Sequence, residues 1–93
     1  MDITKLPKDR EECAEQLRHI VQESLVVNSD QVTDNASFAA DLGADSLDFI
    51  ELVMEVEGTY GITVFDDEVN EGMTCSAFVS VVYKHLKDGG AKS

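Results

Sequence analysis

Apolar residues near the start of the chain recur with the period of an α-helix. The recurring positions are Cys13, Leu17, Ile20, Val21 and Leu25. This spacing places the side chains on one face of a helix. Pro7 suits the entry to such a helix, because the N–H group that proline lacks is no loss there. The pattern therefore predicts a first helix from about Lys8 to Leu25.

The regular pattern stops after this helix and returns only at residue 46. The residues between are mostly polar, with Val32, Phe38 and Leu42 as isolated apolar positions. A connection of about twenty residues is unusual in a small domain unless it is functional or disordered. We expect this loop to be ordered, with Phe38 and Leu42 forming one short turn that holds it against the core.

A second helix is predicted from Ser46 to about Glu57. Asp45 precedes it as a capping residue, and Gly58 and Gly61 supply stop signals. Two stripes of side chains follow the helical spacing: Leu47, Ile50 and Met54 in one, Asp48, Glu51 and Glu55 in the other. This helix is expected to face the core on one side and to present apolar and acidic groups elsewhere.

Two further elements follow. Asp66 to Glu71 fits one short helical turn. The run from Ala77 to Tyr83 is β-branched enough for a strand. Caps and spacing favour a helix instead. Phe78, Val81, Val82 and Leu86 keep a helical period. The cap and stop signals are Thr74 before the run, Lys84 and Lys87 near the end, and Gly89-Gly90 after it.

Ninety-three residues suffice for a single domain with one small core. We therefore expect one all-α domain over residues 1–93, with residues 1–7 as an N-terminal extension and residues 89–93 as a frayed tail. A chain of this size is also too short for a deep two-lobed cleft, which argues against an autonomous enzyme.

The charge is strongly negative and unevenly placed. The chain has 7 Lys and Arg against 19 Asp and Glu, a formal charge of −12. No Lys or Arg occurs from His19 to Tyr83, although thirteen acids do. Such a charge repels nucleic acids and anionic lipids and complements basic protein surfaces. A solubilising acidic surface is the simpler interpretation, but crowded like charges also destabilise a compact fold.

Metal, redox and membrane functions find no support in the sequence. Cys13 and Cys75 lack the spacing of a metal or redox site, and His19 and His85 are isolated. A calcium loop starting at Asp41 fails at its glycine and glutamate positions. Because no long apolar run or signal segment is present, we expect a cytoplasmic protein without membrane insertion.

The segment from Asp41 to Asp48 is a glycine-containing turn that delivers Ser46 to the start of a helix. Asp and Ser are common helix caps, so a purely structural role is one interpretation. The other is that Ser46 is modified, because a helix N-terminus stabilises an attached phosphate.

This segment resembles the signature of the acyl carrier proteins, from Asp41-Leu42-Gly43-Ala44-Asp45-Ser46-Leu47 through Glu51-Leu52-Val53-Met54. The resemblance implies a four-helix bundle with a short third helix and a long loop between its first two helices. It implies that Ser46 carries 4′-phosphopantetheine, donated from coenzyme A, through a phosphodiester. The terminal thiol would hold acyl groups as thioesters for fatty-acid or related lipid synthesis. The protein would then be a carrier and not an enzyme.

The resemblance also implies two sets of site residues. The surface that docks on partner enzymes would contain Asp45, Asp48, Ile50, Glu51, Met54, Glu55 and Glu57. A pocket for the acyl chain would be lined by Phe38, Leu52, Val56, Tyr60, Ile62 and Val64. The implied partners are a phosphopantetheinyl transferase and ketosynthase, reductase, dehydratase and acyltransferase enzymes with basic patches, all acting on a monomeric carrier.

Some residues depart from the family pattern. Gly72 stands where a pocket-lining side chain is common, and residues 68–72 look more like a specialised carrier than the housekeeping one. A peptidyl, aryl, D-alanyl or polyketide carrier is an alternative, as is an unmodified acidic interaction module.

Overall fold

The computed structural model describes residues 6–88. The described part contains three α-helices: α1 (Arg10–Leu25), α2 (Ser46–Tyr60) and α3 (Cys75–Lys87), with 3₁₀ turns at Ser29–Gln31 and Asp66–Glu68. Within it no strand forms, and a lone bridge joins Ser37 to Thr74. The all-α prediction is confirmed. The expectations for the start of the extension and for the tail fall on residues 1–5 and 89–93, which lie outside the described residues.

The N-terminal cap fixes where α1 begins. The Asp9 carboxylate accepts a hydrogen bond of 2.8 Å from the backbone N–H of Glu12, so the helix starts at Arg10, two residues later than predicted. The helix ends as predicted at Leu25. Val26 follows in the left-handed conformation, with φ of 55°, and its N–H bonds to the Gln22 carbonyl.

α2 extends three residues beyond the predicted end at Glu57. Gly58 lies inside the helix and does not stop it. A glycine in a helix interior costs about 1 kcal/mol relative to alanine, but the added turn buries the Tyr60 ring. The stop is Gly61, which adopts φ of 69° and donates its N–H to the Glu57 carbonyl at 2.8 Å.

Three phenylalanines from different parts of the chain meet in the core. Phe38 comes from the long loop, Phe49 from α2 and Phe78 from α3, and their ring centroids lie 5.2 to 5.9 Å apart in tilted or edge-on pairs. All three side chains are buried. Such pairs are favourable beyond the area they bury. Phe38 therefore fixes the long loop against both helices.

Backbone hydrogen bonds also hold the loop, which is ordered as expected. The Ala39 N–H donates to the Glu71 carbonyl at 2.8 Å, and the Cys75 N–H donates to the Ala36 carbonyl at 2.9 Å. Near Phe38, the N–H groups of Asp41 and Leu42 both donate to the Ser37 carbonyl, which forms the predicted short turn. The segment before α3 is thus tied to the loop that precedes α2.

The short third helix of the predicted bundle is a single 3₁₀ turn, Asp66–Glu68. It ends before the predicted Glu71 because Val69 is extended, with φ of −137° and ψ of 155°. Asn70 then forms a turn of its own, accepting the Gly72 N–H at its side-chain oxygen. Thr74 caps α3 through the Ala77 N–H, so the helical interpretation of residues 77–83 is confirmed.

Contacts between α1 and its neighbours use both of its arginines. Arg10 Nη2 donates to the Ser76 carbonyl and to the hydroxyls of Ser76 and Ser80 on α3. Arg18 Nε donates to the Val32 carbonyl in the loop at 3.2 Å. Among the described helices, none is long and apolar enough to cross a bilayer.

Candidate functional site

Ser46 is the first residue of α2 and is exposed. The turn before it is anchored by two buried residues, Leu42 and Ala44, and the Ala44 N–H donates to the Phe38 carbonyl at 2.8 Å. Gly43 between them has a φ of 72°, a backbone conformation that residues other than glycine rarely adopt. The turn therefore fixes the start of α2 on the core while leaving the Ser46 side chain in solvent.

A reciprocal capping box closes the first turn of α2. Asp45 Oδ1 accepts the Asp48 N–H at 2.8 Å, and Asp48 Oδ2 accepts the Asp45 N–H at 3.3 Å. The capping role that was one interpretation of Ser46 is thus filled by Asp45. Within the described residues, Ser46 Oγ makes no hydrogen bond. Its hydroxyl therefore faces solvent without a hydrogen-bond partner among the described residues.

A groove of about 310 Å³ begins at Ser46 and runs between α2 and residues 64–71. Its apolar lining consists of Phe49, Ile50, Val53, Met54, Val64 and Val69. Its polar lining consists of Ser46, Glu57, Asp66, Asn70 and Glu71. A largely apolar lining with a few polar groups is the usual character of a small-molecule site.

The groove is not lined by most of the residues that were expected to line a pocket. Only Val64 of that set lies in it. The other five pack into the core instead: Phe38, Leu52, Val56, Tyr60 and Ile62. The reason is the orientation of α2, whose Leu52, Val56 and Tyr60 face the interior. Phe49, Val53 and Val69 were missed as lining residues, because their apolar character alone does not distinguish a groove from a core.

The residues expected to dock on partners are mostly exposed on α2. Those that face solvent are Asp45, Asp48, Ile50, Glu51, Met54 and Glu55. Ile50 and Met54 are 53% and 61% exposed, high values for large apolar side chains, and Leu47 beside them is 63% exposed. Apolar groups ringed by charge are typical of a surface that contacts other proteins.

The seventh residue of that set, Glu57, is placed differently. It is half-buried, and its Oε2 accepts the Val64 N–H at 2.8 Å. Glu57 therefore ties α2 to the opposite wall of the groove. Its carboxylate contributes to the groove rather than to the open surface.

The acids of α2 have no cation beside them within the described residues. In that part of the chain, the carboxylates that lie within 4 Å of a basic side chain are Glu23, beside His19, and Glu68, beside His85. Arg10 and Arg18 contact neutral oxygens, as described above. Asp48, Glu51 and Glu55 thus form an acidic face with no compensating cation among the described residues.

The titratable groups near the core do not form a reactive centre. Burial raises the pKa of the Cys13 and Cys75 thiols to about 11, so both are protonated near neutral pH and are poor nucleophiles. In residues 6–88 no group of His, Cys, Asp and Glu side chains is placed to hold a metal ion. The arrangement presents a hydroxyl, an apolar groove and an acidic face, which suits carrying a group better than transforming one.

Comparison with known proteins gives a consistent result. The family model described as a phosphopantetheine attachment site matches residues 15–82. A protein named acyl carrier protein from Zymomonas mobilis is 49% identical over 72 residues, which cover 77% of this chain and 92% of that protein. Proteins of the same name from Rubrobacter xylanophilus and Thermotoga maritima are each 40% identical over 77 residues, covering 83% of this chain and 95% of theirs.

Proposed function

This chain belongs to the acyl carrier protein family, and we propose that it carries acyl groups on a 4′-phosphopantetheine arm attached to Ser46. Membership makes it a carrier that enzymes act upon and not a catalyst. The arm supplies a terminal thiol that holds the acyl group as a thioester. The observation that supports Ser46 as the attachment site is its exposed hydroxyl. The capping box leaves this hydroxyl unbonded, and it lies at the groove.

The surroundings of Ser46 fit such an arm. The hydroxyl lies at the N-terminus of α2, where the helix dipole favours the charge of a phosphodiester. The groove begins at the same residue, so an acyl chain at the end of the arm could fold back onto Phe49, Val53 and Val69. Burial of apolar chain carbons stabilises this arrangement by about 0.8 kcal/mol per methylene group.

The exposed acidic face of α2 supports a proposal about partners. Carrier proteins interact with a phosphopantetheinyl transferase and with biosynthetic enzymes. We propose that basic patches on these enzymes contact Asp48, Glu51 and Glu55, with Leu47 and Met54 entering apolar depressions beside them. Opposite charges accelerate encounter, and the apolar residues add affinity after contact. Fatty-acid or related lipid synthesis is the pathway that we propose for the cargo.

Loading in vitro tests the assignment of Ser46. The purified chain is incubated with coenzyme A and a phosphopantetheinyl transferase, and its intact mass is measured. The wild-type chain is expected to gain one phosphopantetheine group, and Ser46→Ala none. Ser29→Ala is the matched control, because Ser29 is also exposed and also begins a helical turn. Uptake by Ser46→Ala equal to that of the wild type would refute the assignment.

A further inference from the structure

Glu68 joins the outer wall of the groove to α3. Its Oε1 lies 2.8 Å from Nε2 of His85 on α3 and also accepts the Phe65 N–H at 3.0 Å. An ionised carboxylate can only accept hydrogen bonds, so Nε2 of His85 is the donor. One oxygen atom thus binds the loop backbone on one side and the helix on the other. We call this arrangement the Glu68–His85 clasp.

The clasp lies behind residues that line the groove. Val64, Asp66 and Val69 face the groove from the same short segment that contains Phe65 and Glu68. The 3₁₀ turn in this segment is three residues long, and the Glu68 N–H donates to the Phe65 carbonyl at its start. A turn this short does not hold its own position. Its position relative to the helices depends on side-chain contacts.

Two carboxylates supply such contacts from opposite sides. Glu57 on α2 holds the Val64 N–H, and the clasp holds the Phe65 N–H to α3. The Phe65 and His85 rings lie 6.4 Å apart and add a second contact at the clasp. The wall is therefore suspended between α2 and α3, and loss of the clasp would free its outer attachment.

The charges around the clasp favour its formation. The His85 hydrogen bond and the Phe65 N–H lower the pKa of Glu68, and Lys84 contributes in the same direction. Glu68 therefore stays ionised well below neutral pH. Both side chains of the pair are partly shielded from solvent, being 21% and 27% exposed.

We propose that Glu68 and His85 are positioning residues that hold the groove wall against a tethered acyl chain. They touch neither the arm nor the thioester, and they act through Val64 and Val69. The inference rests on the proposed function, since the chain that they shelter is the one carried on Ser46. The clasp then determines how well long acyl chains are protected from solvent.

Thioester cleavage by hydroxylamine tests this role on the loaded protein. Octanoyl and acetyl forms are compared, because an acetyl group is too short to lie along the groove. Glu68→Ala removes the shared acceptor, and His85→Phe keeps a ring beside Phe65 but removes the donor. Glu68→Gln retains an oxygen that can accept both hydrogen bonds. Glu23→Ala is the control, since it removes the other His–Glu pair, on α1.

The clasp predicts a change specific to chain length. Octanoyl cleavage is expected to accelerate about tenfold in Glu68→Ala and His85→Phe, since a hydrogen bond to a charged group is lost. Acetyl cleavage should stay at the wild-type rate, and Glu23→Ala should resemble wild type. Glu68→Gln keeps the acceptor but not the charge, so its octanoyl cleavage should fall between that of wild type and that of Glu68→Ala. If Glu68→Ala fails to fold, as judged by circular dichroism, His85→Phe carries the test.

Two results would overturn the proposed role of the clasp. One is wild-type octanoyl protection in both variants, and the other is equal acceleration of acetyl and octanoyl cleavage, which reports general loosening. A different failure is distinguishable: if wild-type octanoyl and acetyl thioesters are cleaved equally fast, the groove does not shelter the chain, and the proposed use of the groove fails with the clasp.

Discussion

Tyr60 Oη on α2 donates a buried hydrogen bond of 2.7 Å to Oε1 of Gln16 on α1. Gln16 is the buried polar residue among the described side chains, and Tyr60 is buried beside it. Burial raises the pKa of Tyr60 far above its ordinary value, so the hydroxyl remains a donor at physiological pH. This contact joins the end of the helix that begins at Ser46 to α1.

A double-mutant cycle on this pair should reveal strong coupling. Tyr60→Phe leaves Gln16 Oε1 without that donor in the core and is expected to lower the free energy of unfolding by about 1–3 kcal/mol. Gln16→Leu should cost a similar amount, while the double variant should cost less than the sum. Urea denaturation measures all four proteins. Strict additivity would show that the hydrogen bond adds nothing to stability.

The buried thiols predict a loss of stability at alkaline pH. The pKa values of Cys13 and Cys75 rise from 9.0 to about 11 in the folded chain, so the folded state retains protons that the unfolded state releases. Their contribution is complete below pH 9 and is lost as the pH rises through 11, by about 1–3 kcal/mol for each thiol. Urea denaturation at pH 8 and pH 11 should show a smaller decrease in the Cys13→Ala, Cys75→Ala double variant. An identical decrease would contradict this origin.

Salt should stabilise the fold, because the acids of α2 have no cation beside them in the described region. Screening reduces their mutual repulsion, and for a domain of this size each 1 kcal/mol of relief raises Tm by roughly 4–8 °C. We expect Tm to rise by several degrees between low salt and about 0.5 M NaCl. The rise should be smaller in a Glu51→Gln, Glu55→Gln variant. A Tm independent of salt would mean that the acids are too dispersed to repel one another.

Charge reversal on α2 should slow loading by the transferase. Glu51→Lys and Glu55→Lys are expected to lower kcat/KM by about tenfold each at low salt, with a smaller effect at high salt, because they alter electrostatic encounter. Glu11→Lys and Glu15→Lys on α1 are matched controls, since both positions are exposed and helical. Equal effects on both helices would indicate dependence on net charge rather than on a docking face.

The sequence predicts the helices well because their signals are local. Thr74, Asp45 and the apolar stripe of α1 are read from neighbouring residues, and all three behave as predicted. Gly58 shows the limit of such signals. Its stop is overridden by burial of Tyr60, a contact with α1 that no local pattern contains.

The lining of the groove was less predictable from the sequence than the turn before Ser46, because it too depends on contacts between distant parts of the chain. Val53 and Leu52 are adjacent apolar residues, yet one lines the groove and the other lies in the core, because the packing of whole helices decides between them. From the sequence alone, Glu57 and Glu68 are expected to be acids on a charged surface. Only the folded chain brings Glu57 to the Val64 N–H and Glu68 to His85.

The central claim is that Ser46 bears the arm, and fragment mass spectrometry of the protein purified from its own cell tests it most directly. The predicted result is one phosphopantetheine group on the peptide containing Ser46, with fragment ions that place it on that serine. A group located on any other residue, or a chain that is wholly unmodified in actively growing cells, would contradict the account.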